Sequence, residues 1–296
     1  MTDQQLDLFV STAPPAERPE RLGPARVDYV DSKSVLTPAS GFMENYDFTL
    51  NPYSGCGFGC EYCYARFFAP TEELRDTWGE WVKVKENAIE ALRKAMRSRG
   101  SHRLDAGAKI YMSSVTDPYQ PVEKKLELTR RILEVLLDVQ PRLTIQTRSP
   151  LATRDIDLFK KFERIRVNFT IPTDSEAVRL RYEPHCPSID VRFNAAAEVS
   201  RAGIPIGISI SPTLPVYDAE EFGCRLAALD AAEYVTQFMK PPTMRFRAGS
   251  APEALAKMHE DAWTVDRYKE ARACIQRQLG VGRPLLEGIS GYAPPQ

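Results

Sequence analysis

Three cysteines within eight residues form the densest cluster of reactive side chains in the chain. The segment NPYSGCGFGCEYCYAR, residues 51–66, sets Cys56, Cys60 and Cys63 at C-x3-C-x2-C spacing on a Gly-rich loop. Three thiolates on one short loop can ligate three corners of a cubane iron–sulfur cluster, and Gly55, Gly57 and Gly59 let the backbone turn tightly around it. The motif leaves the fourth iron without a protein ligand. An open iron is what a cluster needs if it binds and reduces a small chelating molecule. Two blander readings compete, structural zinc and three cysteines buried by chance. Zinc normally takes four protein ligands in two pairs. The only imidazoles are His102, His185 and His259, and none is spaced as a partner.

Elements that could position such a loop are legible along the chain. Short β-branched or aromatic runs predict strands over Asp47–Ser54, Ala108–Ser113, Leu143–Thr147, Ile165–Ile171, Ile204–Ile210 and Glu233–Phe238. Between them, helical periodicity predicts helices over Asn87–Arg99 (stopped by Gly100), Pro121–Val139, Asp155–Phe162, Val191–Arg201 and Asp218–Leu229, with a further helix over Asp266–Leu279. Six strands separated by five helices imply a parallel sheet with right-handed crossovers, either a curved partial barrel or a doubly wound sheet. In both, ligands bind on the loops at the carboxyl ends of the strands. The cysteine loop directly follows the first predicted strand. Residues 1–45, rich in Pro, Ser, Thr and charge, read as an N-terminal tail or extended wrap. Residues 46–240 form the core, and 241–296 a C-terminal helical extension.

Composition narrows the class. At 296 residues, 43% hydrophobic and 27% charged, the sequence is that of a soluble globular protein, long enough for one large α/β domain or two ordinary ones. A net charge of −1 gives no whole-protein attraction to nucleic acid or anionic membrane. There is no apolar run of membrane-spanning length and no secretory signal pattern at the start, so the cytoplasm is the expected location and no membrane partner is expected. Six cysteines, three of them clustered, point to metal binding in a reducing compartment rather than to disulfides.

C-x3-C-x2-C with an aromatic, Tyr62, just before the third Cys resembles the signature of the radical S-adenosylmethionine (SAM) superfamily. NPYSGCGFGCEYCYAR, SSVTDPYQPVEKKLELTRRIL, TIQTRSPLATRDIDLF and YEPHCPSIDVRFNAAAEVSRAGIPIGISISP look like its spore photoproduct lyase-like branch, over about residues 46–240. The resemblance implies an α/β fold, a partial (β/α)6 barrel. It also implies a [4Fe–4S] cluster on Cys56, Cys60 and Cys63, with SAM chelating the fourth iron, and a reductant such as flavodoxin or ferredoxin. One electron from the cluster would cleave SAM to a 5′-deoxyadenosyl radical that abstracts a substrate hydrogen.

Position by position, the resemblance implies that Tyr62 packs beside the SAM adenine. Ser114, Thr116 and Asp117 would line the SAM and substrate pocket. Arg148, where relatives usually carry Lys, would meet a SAM carboxylate or ribose. Asn168, Thr170 and Arg192 are further SAM candidates. A salt-bridged arginine is the plain alternative for Arg148 and Arg192, and a strand-end turn residue for Asn168. One departure bears on chemistry. True spore photoproduct lyases place a hydrogen-donating Cys where this sequence has Ser114, and a serine O–H bond is too strong for that role. Cys186 or Tyr119 are the substitute candidates, although a free Cys is more often simply a small buried residue.

The substrate is expected to be DNA or another nucleic acid. The alternatives are a peptide, a small metabolite, or no substrate at all in a non-catalytic iron–sulfur redox protein; the TDPYQP loop and Arg148 favour the enzyme. Gln5-Leu6-Asp7-Leu8-Phe9 resembles the peptide that docks bacterial repair proteins on the DNA sliding clamp, followed by a Pro-rich tether. Basic residues cluster at Arg93, Lys94, Arg97, Arg99 and Arg103, and again at Lys160, Lys161, Arg164 and Arg166. Their convergence at a barrel mouth would support a nucleic-acid substrate.

Overall fold

The computed structural model describes residues 18–98, 104–241 and 249–295. Among these, twelve strands are defined: β1 (Arg21–Leu22), β2 (Ala25–Val30), β3 (Leu36–Pro38), β4 (Phe48–Leu50), β5 (Tyr53–Gly55), β6 (Trp81–Lys85), β7 (Lys109–Met112), β8 (Arg142–Thr147), β9 (Ile165–Thr170), β10 (Ile206–Thr213), β11 (Glu233–Phe238) and β12 (Leu285–Glu287). The larger sheet runs β12-β11-β10-β9-β8-β7-β4-β3. Every neighbouring pair from β4 to β12 is parallel, and only β3 is antiparallel, at the edge. The six strands expected from sequence therefore lie side by side in order. The edge strands β3 and β12 do not pair, so the barrel is partial and open.

Alternation along these strands sorts core from lumen. Ile110, Leu143, Ile145, Val167, Phe169, Ile208 and Ile210 are buried in the main hydrophobic core. The opposite face carries polar groups that satisfy one another. Tyr111 OH donates to Gln146 Oε1 at 2.9 Å, and Gln146 Nε2 donates to Thr170 Oγ1 at 2.7 Å.

Two expectations need correction. The first predicted strand, Asp47–Ser54, is two strands in two sheets. Pro52 has no N–H for a ladder, and after it β5 joins a second sheet of order β1-β2-β6-β5. Antiparallel pairing of Gly55 with Val82 and Tyr53 with Val84 ties together both ends of the loop that carries the cysteines. The predicted helix Pro121–Val139 breaks into Glu123–Leu126 and Leu128–Leu136 at Glu127, which has φ 50°. The cause is Glu123, whose buried carboxylate accepts the Thr129 N–H at 2.9 Å and the Arg130 N–H at 3.3 Å, capping the second helix in place of a continuous one. Residues 21–38, within the expected tail or extended wrap, form β1 to β3, and Ala25, Val27, Val35 and Leu36 belong to the main core.

The C-terminal region holds the helix Val265–Leu279, packed on the helix Ala219–Ala227, and a second helix, Pro252–Glu260, that the sequence analysis did not foresee. Its last strand, β12, extends the large sheet, so this region is not helical throughout. Among the described residues no helix is long and apolar enough to cross a membrane.

Candidate active site

Cys56 immediately follows β5, and the loop it opens folds back over the carboxyl ends of the barrel strands. Gly55 has φ 75°, and a Cβ there would lie 2.5 Å from the Trp81 carbonyl oxygen, so the β5–β6 pair that anchors the loop requires glycine. Gly59 (φ 54°) packs directly on Gly79. Gly57, expected to turn as well, does not adopt a positive φ; its N–H instead donates to Gln120 Oε1 at 2.8 Å.

All three cysteines line a cavity of about 590 Å³ at the strand ends, within the ~300–1,000 Å³ range of small-molecule sites. The other walls include Ser113, Ser114, Thr116 and Asp117 after β7, Thr147 and Arg148 at the end of β8, Thr170 on β9, Ser209 and Ser211 on β10, and Tyr292 near the C-terminus. Asp117 is fixed from three sides, accepting hydrogen bonds from Thr147 Oγ1 (2.7 Å), the Tyr119 N–H (2.9 Å) and the Arg148 N–H (3.0 Å). Thr116 Oγ1 donates to the Gly55 carbonyl at 2.6 Å, tying the β7 loop to the cysteine loop.

Behind the cysteines lies a buried charge network centred on Glu183. Its carboxylate receives Arg148 Nη1 at 2.5 Å, Arg192 Nη2 at 2.5 Å and the Tyr62 hydroxyl. Burial pushes Glu183 up, but Arg192 and Arg148 outweigh it and hold the carboxyl below its ordinary range. Arg148 Nη1 also reaches Cys60 Sγ at 2.8 Å and Tyr62 OH at 2.9 Å. The three thiols are therefore not equivalent. A hydrogen bond with Cys186, helped by Arg148, lowers Cys60 against the effect of burial. Burial, Asp117 and Cys60 push Cys56 up, while burial and Cys60 push Cys63 to about 12. Ligation requires thiolates, so loading this site with iron releases protons.

The residues present fit a cluster and an organic co-ligand. Three thiols face one cavity from a single loop, and two buried polar atoms on the cavity wall, Ser113 Oγ and Trp78 Nε1, have no hydrogen-bond partner among the described residues. Ser113 also sits at φ 73°, an unusual conformation for a non-glycine residue and one typical of functional sites.

Comparison with known proteins agrees with this geometry. The family model described as "Radical SAM superfamily" matches residues 50–223, more than half of the chain. The chain belongs to the radical SAM superfamily. An uncharacterized protein of Methanocaldococcus jannaschii is 41% identical over 186 residues, covering 63% of this chain and 67% of that one. A Pseudomonas phage M6 protein named radical SAM Nalpha-GlyT isomerase is 26% identical over 195 residues, 64% of this chain and 38% of its own. Among solved structures, a spore photoproduct lyase variant superposes with TM-score 0.59 at 15% identity, covering 87% of this chain and 80% of that chain. Another variant, with bound AdoMet and dinucleoside spore photoproduct, gives TM-score 0.58 at 15% identity over the same shares. These two structures share the fold. The protein is an enzyme of the radical SAM superfamily, and that family implies a [4Fe–4S] cluster and SAM.

Within this radical SAM core the expected site residues divide. Cys56, Cys60, Cys63, Tyr62, Ser114, Thr116, Asp117, Arg148 and Thr170 all line the cavity. Asn168 and Arg192 do not. Asn168 Oδ1 accepts from Arg166 Nε at 3.0 Å deeper in the lumen. Arg192 is fully buried, donating to Glu183, the Thr170 carbonyl and the Pro187 carbonyl. Arg192 thus has the salt-bridged role that was its alternative. Neither substitute hydrogen donor reaches the cavity wall. Tyr119 is buried with its hydroxyl on Asp155 at 3.0 Å, and Cys186 lies behind Cys60.

Among the described residues, the second basic group does not converge at the mouth. Lys160, Lys161 and Arg164 precede β9, at the end of the barrel away from the cavity, and Arg166 is buried in the lumen against Glu233. Arg99, Arg103, His102 and the Gln5–Phe9 motif lie outside the described residues. Sequence reasoning missed Glu183, Gln120, Gln146 and Tyr292. Glu183 stands inside the quoted YEPHCPS segment, so a signal for it was present; Tyr292, in a short C-terminal segment, carried none.

The lumen pair predicts a pH effect. Burial pushes the Glu233 carboxyl up to about 7, and Arg166 at 2.8 Å offsets only part of this. The guanidinium is shared with Asn168 and with the Ala293 carbonyl at 2.6 Å. A carboxyl with a raised folded-state pKa binds its proton more tightly folded than unfolded. Its contribution is thus present at low pH and lost as pH rises from the ordinary carboxylate range through 7, by about 2–3 kcal/mol. Urea unfolding at several pH values between 5 and 8 should show this fall in the parent protein and a flatter profile in Glu233→Gln. Equal slopes in both would assign the pH dependence to other groups.

Proposed function

We propose that this enzyme binds SAM in the 590 Å³ cavity beside a cluster on Cys56, Cys60 and Cys63 and initiates a radical reaction on a nucleic-acid base. The observation that carries it is the joining of three cluster-competent thiols and an amphipathic cavity in one site. Cys56, Cys60 and Cys63 would hold a [4Fe–4S] cluster, which would supply the electron for reductive cleavage of SAM and so the radical chemistry on the substrate.

The chain's own residues orient and exclude. Asp117 and Arg148 hold the two βα loops in register, Tyr62 and Arg148 cover one wall, and Thr170 with Gln146 presents a polar floor. The base is supported by the rim. Tyr64 and Phe68 are 40% and 63% exposed, line the cavity and pack edge to face with centroids 6.3 Å apart. Exposed aromatic faces at a cavity mouth suit a base taken out of its stack. The spore photoproduct lyase structure of the same fold, which holds AdoMet and a dinucleoside spore photoproduct, accords with this reading. Ser114, whose Oγ faces Asn51 Nδ2 at 3.4 Å, cannot return a hydrogen atom to a carbon radical, so the reaction differs from direct dimer reversal by a cysteine donor. The proposal includes a flavodoxin- or ferredoxin-class electron donor and a sliding clamp at Gln5–Phe9.

Reduced, reconstituted enzyme with SAM should release 5′-deoxyadenosine, and deuterium from labelled ultraviolet-irradiated DNA should appear in it. Deuterium transfer from a peptide or small metabolite but never from DNA would sink the nucleic-acid substrate. No SAM cleavage under strong reduction, with a reversible cluster potential, would favour the redox carrier.

A further inference from the structure

Two side chains converge on one sulfur, Cys60 Sγ. Arg148 Nη1 lies 2.8 Å away and Cys186 Sγ 3.5 Å away. Among the described residues, the other two candidate ligands are met by backbone hydrogen bonds, Cys56 by Phe58 and Cys63 by Ala65 and Arg66. The Cys60 corner is also the charged one. Arg148 and Arg192 both pair with the Glu183 carboxylate, and Arg148 Nη1 is the guanidinium nitrogen that also reaches this sulfur.

Cys186 is fixed where it stands. Its N–H donates to the Glu183 carbonyl at 3.0 Å, and its own carbonyl accepts Arg179 Nη1 at 3.1 Å. Its thiol has two acceptors within reach, Cys60 Sγ at 3.5 Å and the Phe58 carbonyl at 3.8 Å. Once Cys60 is a thiolate it is the nearer acceptor and the charged one, so the S–H points to it. Cys186 cannot serve substrate from here, because Cys60 stands between it and the cavity. Glu183, grouped with both sulfurs as a possible metal ligand, is occupied by two guanidinium groups that would repel a cation.

Hydrogen bonds to cluster sulfurs, and positive charge near them, stabilise the more electron-rich state and raise the reduction potential. We propose that Cys186, acting through Cys60 and together with Arg148, tunes the potential of the cluster upward, and that it is neither a cluster ligand nor a hydrogen-atom donor. This rests on the radical SAM reading of the site.

The test is a dithionite redox titration of the anaerobically reconstituted full chain without SAM, followed by the electron paramagnetic resonance signal of the reduced cluster. At the potential where the parent protein is half reduced, Cys186→Ala should show a reduced-to-oxidised ratio about tenfold lower, equivalent to about 59 mV for a one-electron couple. Cys186→Ser, whose hydroxyl still donates, should lie between the two. Both variants should keep the parent iron content. An unchanged potential in Cys186→Ala overturns the proposal. So does loss of iron in that variant, which would make Cys186 a ligand. Failure of the parent chain itself to form a [4Fe–4S] spectrum overturns the cluster reading and the tuning with it.

Discussion

Cys56→Ala, Cys60→Ala and Cys63→Ala should each abolish the cluster, taking reconstituted protein from about four irons and four sulfides per chain to none. The expectation follows from how little else can replace a missing ligand. Among the described residues, the cavity wall holds no cysteine beyond these three and no histidine. Cys224 and Cys274 lie on the outer helices Ala219–Ala227 and Val265–Leu279, and His185 is exposed. Cys186 is near, its sulfur 3.5 Å from that of Cys60. Iron retained in Cys60→Ala but lost in Cys60→Ala with Cys186→Ala would therefore identify Cys186 as an emergency ligand. Stoichiometric zinc and no visible chromophore in the parent protein would instead revive the structural-metal alternative. Zinc has poor ground here. The tightest cluster of candidate ligands is Cys60, Glu183 and Cys186, and its carboxylate is already held by two arginines.

The barrel was legible because its strands are short β-branched runs between amphipathic helices, and both patterns survive in single sequence. Ile165–Thr170 and Glu233–Phe238 begin where the β-branched runs begin. The second sheet was not legible, for reasons of length and context. β1 has two residues and β5 three, too few for alternation to register. β6 is a fairer miss. Trp81-Val82-Lys83-Val84-Lys85 alternates, with Val82 and Val84 buried while Lys83 and Lys85 are partly exposed, and that period-2 signal was available. For the site, spacing alone identified the three cysteines, since one loop carries all three. Residues brought together by the fold were harder. Arg148 and Arg192 were both assigned toward SAM, yet they share a carboxylate 35 and 9 residues away in sequence, a pairing that no local pattern encodes.

That carboxylate is where the largest loss of stability is expected. Glu183 and Arg192 side chains are both fully buried and 2.5 Å apart. Glu183→Ala leaves the Arg192 guanidinium with only two backbone carbonyls, from Pro187 and Thr170, and no counter-charge. Removing one partner of a buried ion pair typically costs about 3–5 kcal/mol, because the remaining charge stays desolvated. For a chain of this size that corresponds to a melting temperature lower by ~10 °C. The same change removes the acceptor of the Tyr62 hydroxyl and one of the three partners of Arg148 Nη1. Arg148 remains against Cys60, so a cluster could still assemble in whatever fraction folds. Glu183→Gln keeps the shape but turns an amide N–H toward a guanidinium, replacing attraction with a donor–donor contact, and should recover less than half of the loss. Thermal melts of the apo proteins separate this effect from iron binding. A Glu183→Ala protein melting within a degree or two of the parent would mean that water or a neighbouring residue takes up the Arg192 charge, and that the network behind the cysteines is not what holds their loop in place.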